Sequence, residues 1–192
     1  SEQSITDKVL LSIKGQSLAV HVGEGPCRGL FRASRDCNGQ PVLFGCFGSS
    51  VYVIRETSGG FVSRRIGQVS NALSEPVHFA ETGGEGSAHP HLVVADGASI
   101  FAVDTTLPDS YMVQDWRSIQ LPTRVGDETH TDKIRPTHLA YLYGYLICND
   151  AGSDAFYTSI QYPFETTDDN DEIIYDIFYA DPNGEYNGYG FV

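Results

Sequence analysis

Positive charge is what this sequence has least of. Its 192 residues carry 12 Lys and Arg against 25 Asp and Glu, a formal net charge of −13. The densest cationic pair is Arg64-Arg65 and no basic stripe exists, so a surface of this sign repels phosphate. Tight nucleic-acid binding and adhesion to anionic membranes are both disfavoured. No apolar stretch approaches the length of a membrane span, and the first residues do not have the form of a signal peptide. Helical periodicity is also scarce. Thr6–Lys14 is the best stretch, yet its Leu11-Ser12-Ile13 alternates as a strand would, and Thr131–Tyr143 is interrupted by Pro136, which disfavours helix at Arg135. The four cysteines, Cys27, Cys37, Cys46 and Cys148, include no C-x-x-C pair, which removes the usual redox and zinc spacings. A chain of this size needs no covalent staple, so the four read as free buried thiols in a reducing compartment, with a Cys27–Cys37 bridge as the alternative.

Catalytic and cofactor motifs are missing as well. There is no G-x-S-x-G, no P-loop, no dinucleotide fingerprint and no repeated S-x-D-x-G-x-x-W element. Gly48-Ser49-Ser50 and Gly86-Ser87 lie in turn contexts. His89-Pro90-His91 sets two imidazoles two residues apart, but Pro90 favours a loop leading into the strand that follows. Zinc would need a third ligand, which His78, His130 or His138 cannot be assigned to by sequence; loop histidines are the plainer reading. Asp168-Asp169-Asn170-Asp171-Glu172 and Asp181-Pro182-Asn183-Gly184-Glu185 are oxygen-rich enough to consider calcium. Neither has the EF-hand spacing, and solvated acidic loops are favoured. No catalytic, cofactor-binding or metal-ligating residue is therefore assigned, no cofactor is implied, and the chain reads as a non-enzyme.

What is abundant is the material of short strands: 20 Gly, 11 Tyr and 10 Phe, with the glycines spread between apolar runs. Strands are predicted at Ser17–Val22, Pro41–Phe47, Ser50–Ile54, Phe61–Val69, Val77–Ala80, His91–Ala95, Ser99–Val103, Tyr111–Ile119, Leu139–Tyr143, Tyr145–Cys148, Ala155–Ile160 and Ile173–Tyr179. Three of the hairpins these make look alike, each an apolar run, a pivotal glycine and a second apolar run. The pivots are Gly48, Gly97 and Gly144. Their separation of about 40–50 residues, with four strands to the unit, is the signature of a β-propeller blade. An all-β fold follows, a partial β-propeller of three to four four-stranded blade-like units, with a β-sandwich or barrel as the alternative. Propellers close with at least four blades, so residues 1–192 read as a single propeller-like domain that is part of a longer chain, its final Tyr189-Gly190-Phe191-Val192 being a strand that would normally continue. The aromatics Tyr175, Phe178, Tyr179, Tyr186, Tyr189 and Phe191 fit equally an alternating core strand or a Tyr-rich interface.

One further pattern lies in the order of short phrases. Cys27-Arg28-Gly29-Leu30-Phe31 is followed by Phe47-Gly48-Ser49-Ser50-Val51-Tyr52-Val53-Ile54 and by Arg65-Ile66-Gly67-Gln68-Val69. Val77-His78-Phe79-Ala80-Glu81-Thr82-Gly83-Gly84 and Val93-Val94-Ala95-Asp96-Gly97 come next, then Leu139-Ala140-Tyr141-Leu142-Tyr143-Gly144-Tyr145 and Phe156-Tyr157-Thr158-Ser159. In this order, across Cys27 to Phe164, they resemble the phage stabilisation family of short-tailed podoviruses, the tail accessory hub or packaged-DNA stabilisation proteins. The resemblance implies a structural virion component, present in the host cytoplasm during assembly. It would sit below the portal and its adaptor ring as a hexameric hub or plug that retains packaged DNA. Its partners would be the portal, the adaptor and other tail proteins, with no tight grip on DNA and no membrane. The family is longer than this chain and brings no catalytic residues. Two alternatives remain. A propeller glycosidase or lyase acting on polysaccharide would show carboxylates and an Arg in a pocket at the propeller axis; a non-catalytic carbohydrate-binding propeller would show aromatics flanking a shallow polar cleft.

Overall fold

The computed structural model describes residues 20–34, 36, 38–70, 74–83, 87–107, 115–121 and 134–178, with the backbone of 189–191. Among these residues there is no helix, and the strands fall into three four-stranded antiparallel sheets. The first contains β1 (Cys27–Ala33), β2 (Val42–Phe47), β3 (Ser50–Thr57) and β4 (Gly60–Gln68). The second contains β5 (His78–Glu81), β6 (His91–Ala95), β7 (Ile100–Asp104) and β8 (Arg117–Ile119). The third contains β9 (Leu139–Leu142), β10 (Tyr145–Asn149), β11 (Ala155–Thr158) and β12 (Tyr189–Phe191). In every sheet the spatial order is the chain order, so each is a simple meander.

The second sheet is the middle layer. Successive side chains of a strand point to opposite faces, and β6 is buried throughout because both of its faces are covered. Val93 and Ala95 join a core with Ile100, Ala102, Ile134, Leu146, Tyr157 and Ile177, which lies towards the third sheet. Leu92 and Val94 join the opposite core with Phe44, Val51, Val53 and Ile66 of the first. The first strands of successive sheets are neighbours, β1 beside β5 and β5 beside β9. At the first of these seams Val77 N–H donates to Arg28 C=O at 2.9 Å, and at the second Leu139 N–H donates to His78 Nδ1 at 3.3 Å.

Each central turn is tied to the chain segment that runs between sheets. In the second sheet the Asp96 carboxylate accepts Ala98 and Ser99 N–H through Oδ1, closing its own turn, and Ser70 N–H through Oδ2 at 2.8 Å. In the third, Asp150 Oδ1 accepts Arg135 N–H at 3.0 Å while Oδ2 takes Ser153 Oγ–H. Both carboxylates are buried, as that arrangement requires. The first sheet has no acid here. The buried Arg28 guanidinium reaches across instead, donating Nη1–H to the carbonyls of Gly48 and Ser70 and Nε–H to that of Glu75.

The three pivots all have left-handed backbones, φ 56° at Gly48, 91° at Gly97 and 87° at Gly144. They are not equivalent. Gly48 and Gly97 join the second and third strands of their sheets, whereas Gly144 joins β9 to β10, the first and second. The true counterpart is Gly152, φ 84°, in Asp150-Ala151-Gly152-Ser153, about 55 residues beyond Gly97. The apparent third repeat was thus one strand out of phase, because any apolar-Gly-apolar hairpin satisfies the same pattern.

Two other expectations shift. Ile173–Tyr179 forms no strand among its described residues: Ile173 makes an isolated bridge to Thr167, and Ile177 and Phe178 plug the core between the second and third sheets. β1 lies outside the strands that apolar alternation predicts, because Arg28 and Arg32 interrupt its pattern. Of Tyr111–Ile119 only 117–119 is a described strand, and 20–22 of Ser17–Val22 is not strand; the remainders of both, and Thr6–Lys14, lie outside the described residues.

Candidate functional site

The strongest gathering of polar chemistry lies where β6 begins and β7 ends. His91 and Asp104 face each other across that strand pair, and β8 begins nearby at Arg117. The segment after β11 folds over them, held by a turn in which exposed Asp168 accepts the N–H groups of Asn170 and Glu172. These backbone donors, Glu172 first and then Asn170, hold the Asp168 carboxyl below its usual value. The result is a cleft of about 370 Å³ with His89, Asp104, Asp115, Arg117, Asp171, Glu172 and Tyr175 in its walls. Two motifs far apart in sequence, the histidine pair and the acidic run, are brought to one place.

Within it the basic side chains are already engaged. His89 Nδ1 lies 3.2 Å from Asp104 Oδ2, while Asp104 Oδ1 accepts the N–H and hydroxyl of Thr106. Arg117 is 3.5 Å from Asp115 and its guanidinium carbon lies 5.9 Å from the centre of the Tyr175 ring. Beneath them His91 is fully buried and stacked on Phe164 with ring centres 4.2 Å apart. Its Nδ1 is 2.7 Å from the carbonyl of His89, which can only accept, so Nδ1 carries the proton. Nε2 is then an acceptor, and Tyr175 Oη–H donates to it at 3.1 Å. Burial pushes His91 below the ordinary histidine value and Tyr175 up to about 12, the latter reinforced by Asp115 and opposed by Arg117. Near neutral pH both are uncharged and locked to each other.

That geometry limits the chemistry. Ser87, His89 and Asp104 are the makings of a triad, yet the single Ser87 hydroxyl proton is given to the Glu165 carboxylate rather than to an imidazole. Among the described residues no group of three or more His, Cys, Asp and Glu side chains is placed to hold a metal ion. His78 and His138, drawn together at the seam of β5 and β9, have ring centres 4.7 Å apart, but His78 Nδ1 accepts the Leu139 N–H and so its Nε2 keeps its proton in the neutral ring. His130 and Asp181–Glu185 lie outside the described residues.

The other sequence signals are distributed elsewhere. Cys46 and Cys148 are buried free thiols, pushed up to about 11 and about 12 by burial, whereas Cys27 is exposed. Cys37, and with it any Cys27–Cys37 bridge, lies outside the described residues. Of the C-terminal aromatics, Phe178 is buried in the core and Tyr175 is packed against it; Tyr179 and Tyr186 lie outside the described residues. The exposed aromatics among the described residues are others: Phe61 on β4, and Tyr143, 85% accessible, and Tyr162, 56%, the two tyrosines with left-handed backbones. No composition or spacing marks these tyrosines, since their exposure follows from the turn they stand on.

Comparison of the chain with family models, with curated proteins and with solved structures finds no match.

Proposed function

We propose that this chain is a non-catalytic assembly module, an arc of a β-propeller with three blades, serving as a structural hub of a podovirus-type phage tail below the portal and adaptor ring. The observation that carries this reading is the repetition of one meander three times, with the first strands adjacent in series. That is the relation neighbouring blades have around an axis, β1, β5 and β9 being innermost and β4, β8 and β12 outermost. The buried ties from Asp96, Asp150 and Arg28 support it, since each links one unit to the segment beside it, as a rigid scaffold requires. The net charge of −13 suits a wall past which DNA must slide.

Mixing the protein with a podoviral portal–adaptor assembly and weighing the products by native mass spectrometry tests the reading. Co-assembly in a multiple of six copies is expected. A monomer that ignores the ring, or tight duplex DNA binding at physiological salt, would sink it.

A second reading, a propeller that acts on or holds polysaccharide, draws on the cleft walled by carboxylates, Arg117 and Tyr175. Against it, the cleft is built on β7 and β8, on the outer side of the blade rather than beside β5 and β9. Its Arg and His are already paired with acids. Calorimetric titration with neutral and uronic-acid oligosaccharides separates the two, since heat of binding that disappears in Arg117→Ala favours the second.

A further inference from the structure

We propose that β4 is a docking strand whose open edge, 60–65, takes up an extended acidic segment of a partner protein by β-augmentation. The inference rests on sheet order and holds whether or not the tail reading does. β4 is 9 residues long, whereas the last strands of the other two sheets, β8 and β12, have 3 described residues each. It pairs only with β3, so one side of its ladder has no partner among the described residues. Its C-terminal end is covered: Ile66 is buried and the Trp116 indole lies directly over Gly67, stacked in turn on Phe101. From Gly60 to Arg65 no described residue covers it, and Phe61 and Val62 stand 44% and 53% accessible.

An unpaired edge invites pairing with any extended chain unless charge selects the guest. Here the selecting charge is positive. The strand reads Gly-Phe-Val-Ser-Arg-Arg-Ile-Gly-Gln, with Arg64 and Arg65 and no acid, on a chain whose net charge is −13. The Arg64 side chain has no ion pair or hydrogen bond among the described residues, and Arg65 spends one nitrogen on Gln68 at 2.7 Å. The two project to opposite faces of the sheet, as do Phe61 and Val62. A complementary segment therefore has adjacent Asp or Glu residues, one over each Arg, and β-branched residues against Phe61 and Val62. A second copy of β4 is a poor guest, because antiparallel pairing would bring its arginines close to these ones. The turn at Ser58-Gly59 closes on the pair Thr57 and Gly60, and alternation from that hydrogen-bonded pair leaves the N–H groups of Phe61, Ser63 and Arg65 on the open side.

The test uses the whole chain and two fluorescein-labelled probes, capped Thr-Val-Asp-Glu-Val-Thr-Val and the same peptide with Lys-Lys in place of Asp-Glu, followed by anisotropy. The acidic probe is expected to bind at least about tenfold more tightly than the basic one. Backbone N-methylation of the probe, or Ser63→Pro in the protein, should remove that binding while the far-UV spectrum is kept. Arg64→Glu with Arg65→Glu should reverse the preference. Equal binding of the two probes, binding that survives both N-methylation and Ser63→Pro, or no binding of the acidic probe would overturn the proposal. So would a dimer that Ser63→Pro dissociates, because the occupant of the edge would then be a second copy.

Discussion

At the scale of single residues, the buried carboxylates of Asp96 and Asp150 show how a small side chain can hold together parts of the chain distant in sequence. Each closes its own turn and at the same time accepts an N–H from the segment leading between sheets. Replacing either by Ala leaves buried donors without an acceptor, and the loss is expected at about 2–3 kcal/mol each, with Asn recovering part of it; urea unfolding midpoints measure both. Gly67 is constrained differently: a Cβ there would overlap the Trp116 ring, already packed on Phe101. Gly67→Ala should cost about 1–3 kcal/mol, and an unchanged urea midpoint would show that the indole moves aside freely. Thiol chemistry gives a third residue-level expectation. A disulfide reagent added to the native protein should modify Cys27 at once, while Cys46 and Cys148 react only on unfolding, as mass spectrometry of the labelled peptides would report.

At the scale of elements, β6 and the β5–β9 seam matter most. Leu92 is completely buried in the middle strand, and Leu92→Ala should destabilise by about 2–5 kcal/mol. The seam brings pH into play. His78 is held below the ordinary histidine value by burial first and His138 second, and His91 by burial. A histidine whose folded value is depressed binds its proton more readily in the unfolded chain, so stability is flat above about pH 6.5 and declines as pH falls through and below that point. The melting temperature at pH 5.5 should therefore lie below that at pH 7.5. His78→Gln should flatten part of this slope; an identical slope in that variant would remove His78 from the explanation. Strand positions were readable at this scale because short apolar alternation and glycine turns are local: His91–Ala95 is found where it was predicted, and the β2–β3 and β6–β7 hairpins turn on the expected glycines. The phase of the third repeat was not, since Gly144 and Gly152 both terminate apolar runs and only hydrogen bonding across the sheet says which turn matches Gly97. Nor was the fate of Ile173–Tyr179, whose alternation is satisfied by insertion into a core rather than by pairing.

At the scale of the molecule, three meanders share two cores with the second sheet between them. Hydrogen exchange should rank accordingly, slowest in β6 and fast along 60–65 of β4, and protection of both to the same degree would contradict the open edge. Short antiparallel strands, an acidic surface and turns that pivot on glycine were legible without any coordinates, because they depend on composition and on neighbours within a few positions. Which strands share a sheet, the meeting of His89 with the acidic run at one cleft, the common task of Asp96 and Asp150, and the edge of β4 left unpaired among the described residues were settled by tertiary packing alone. Those are contacts between segments tens of residues apart, fixed by which apolar faces must be covered, and no local pattern records them.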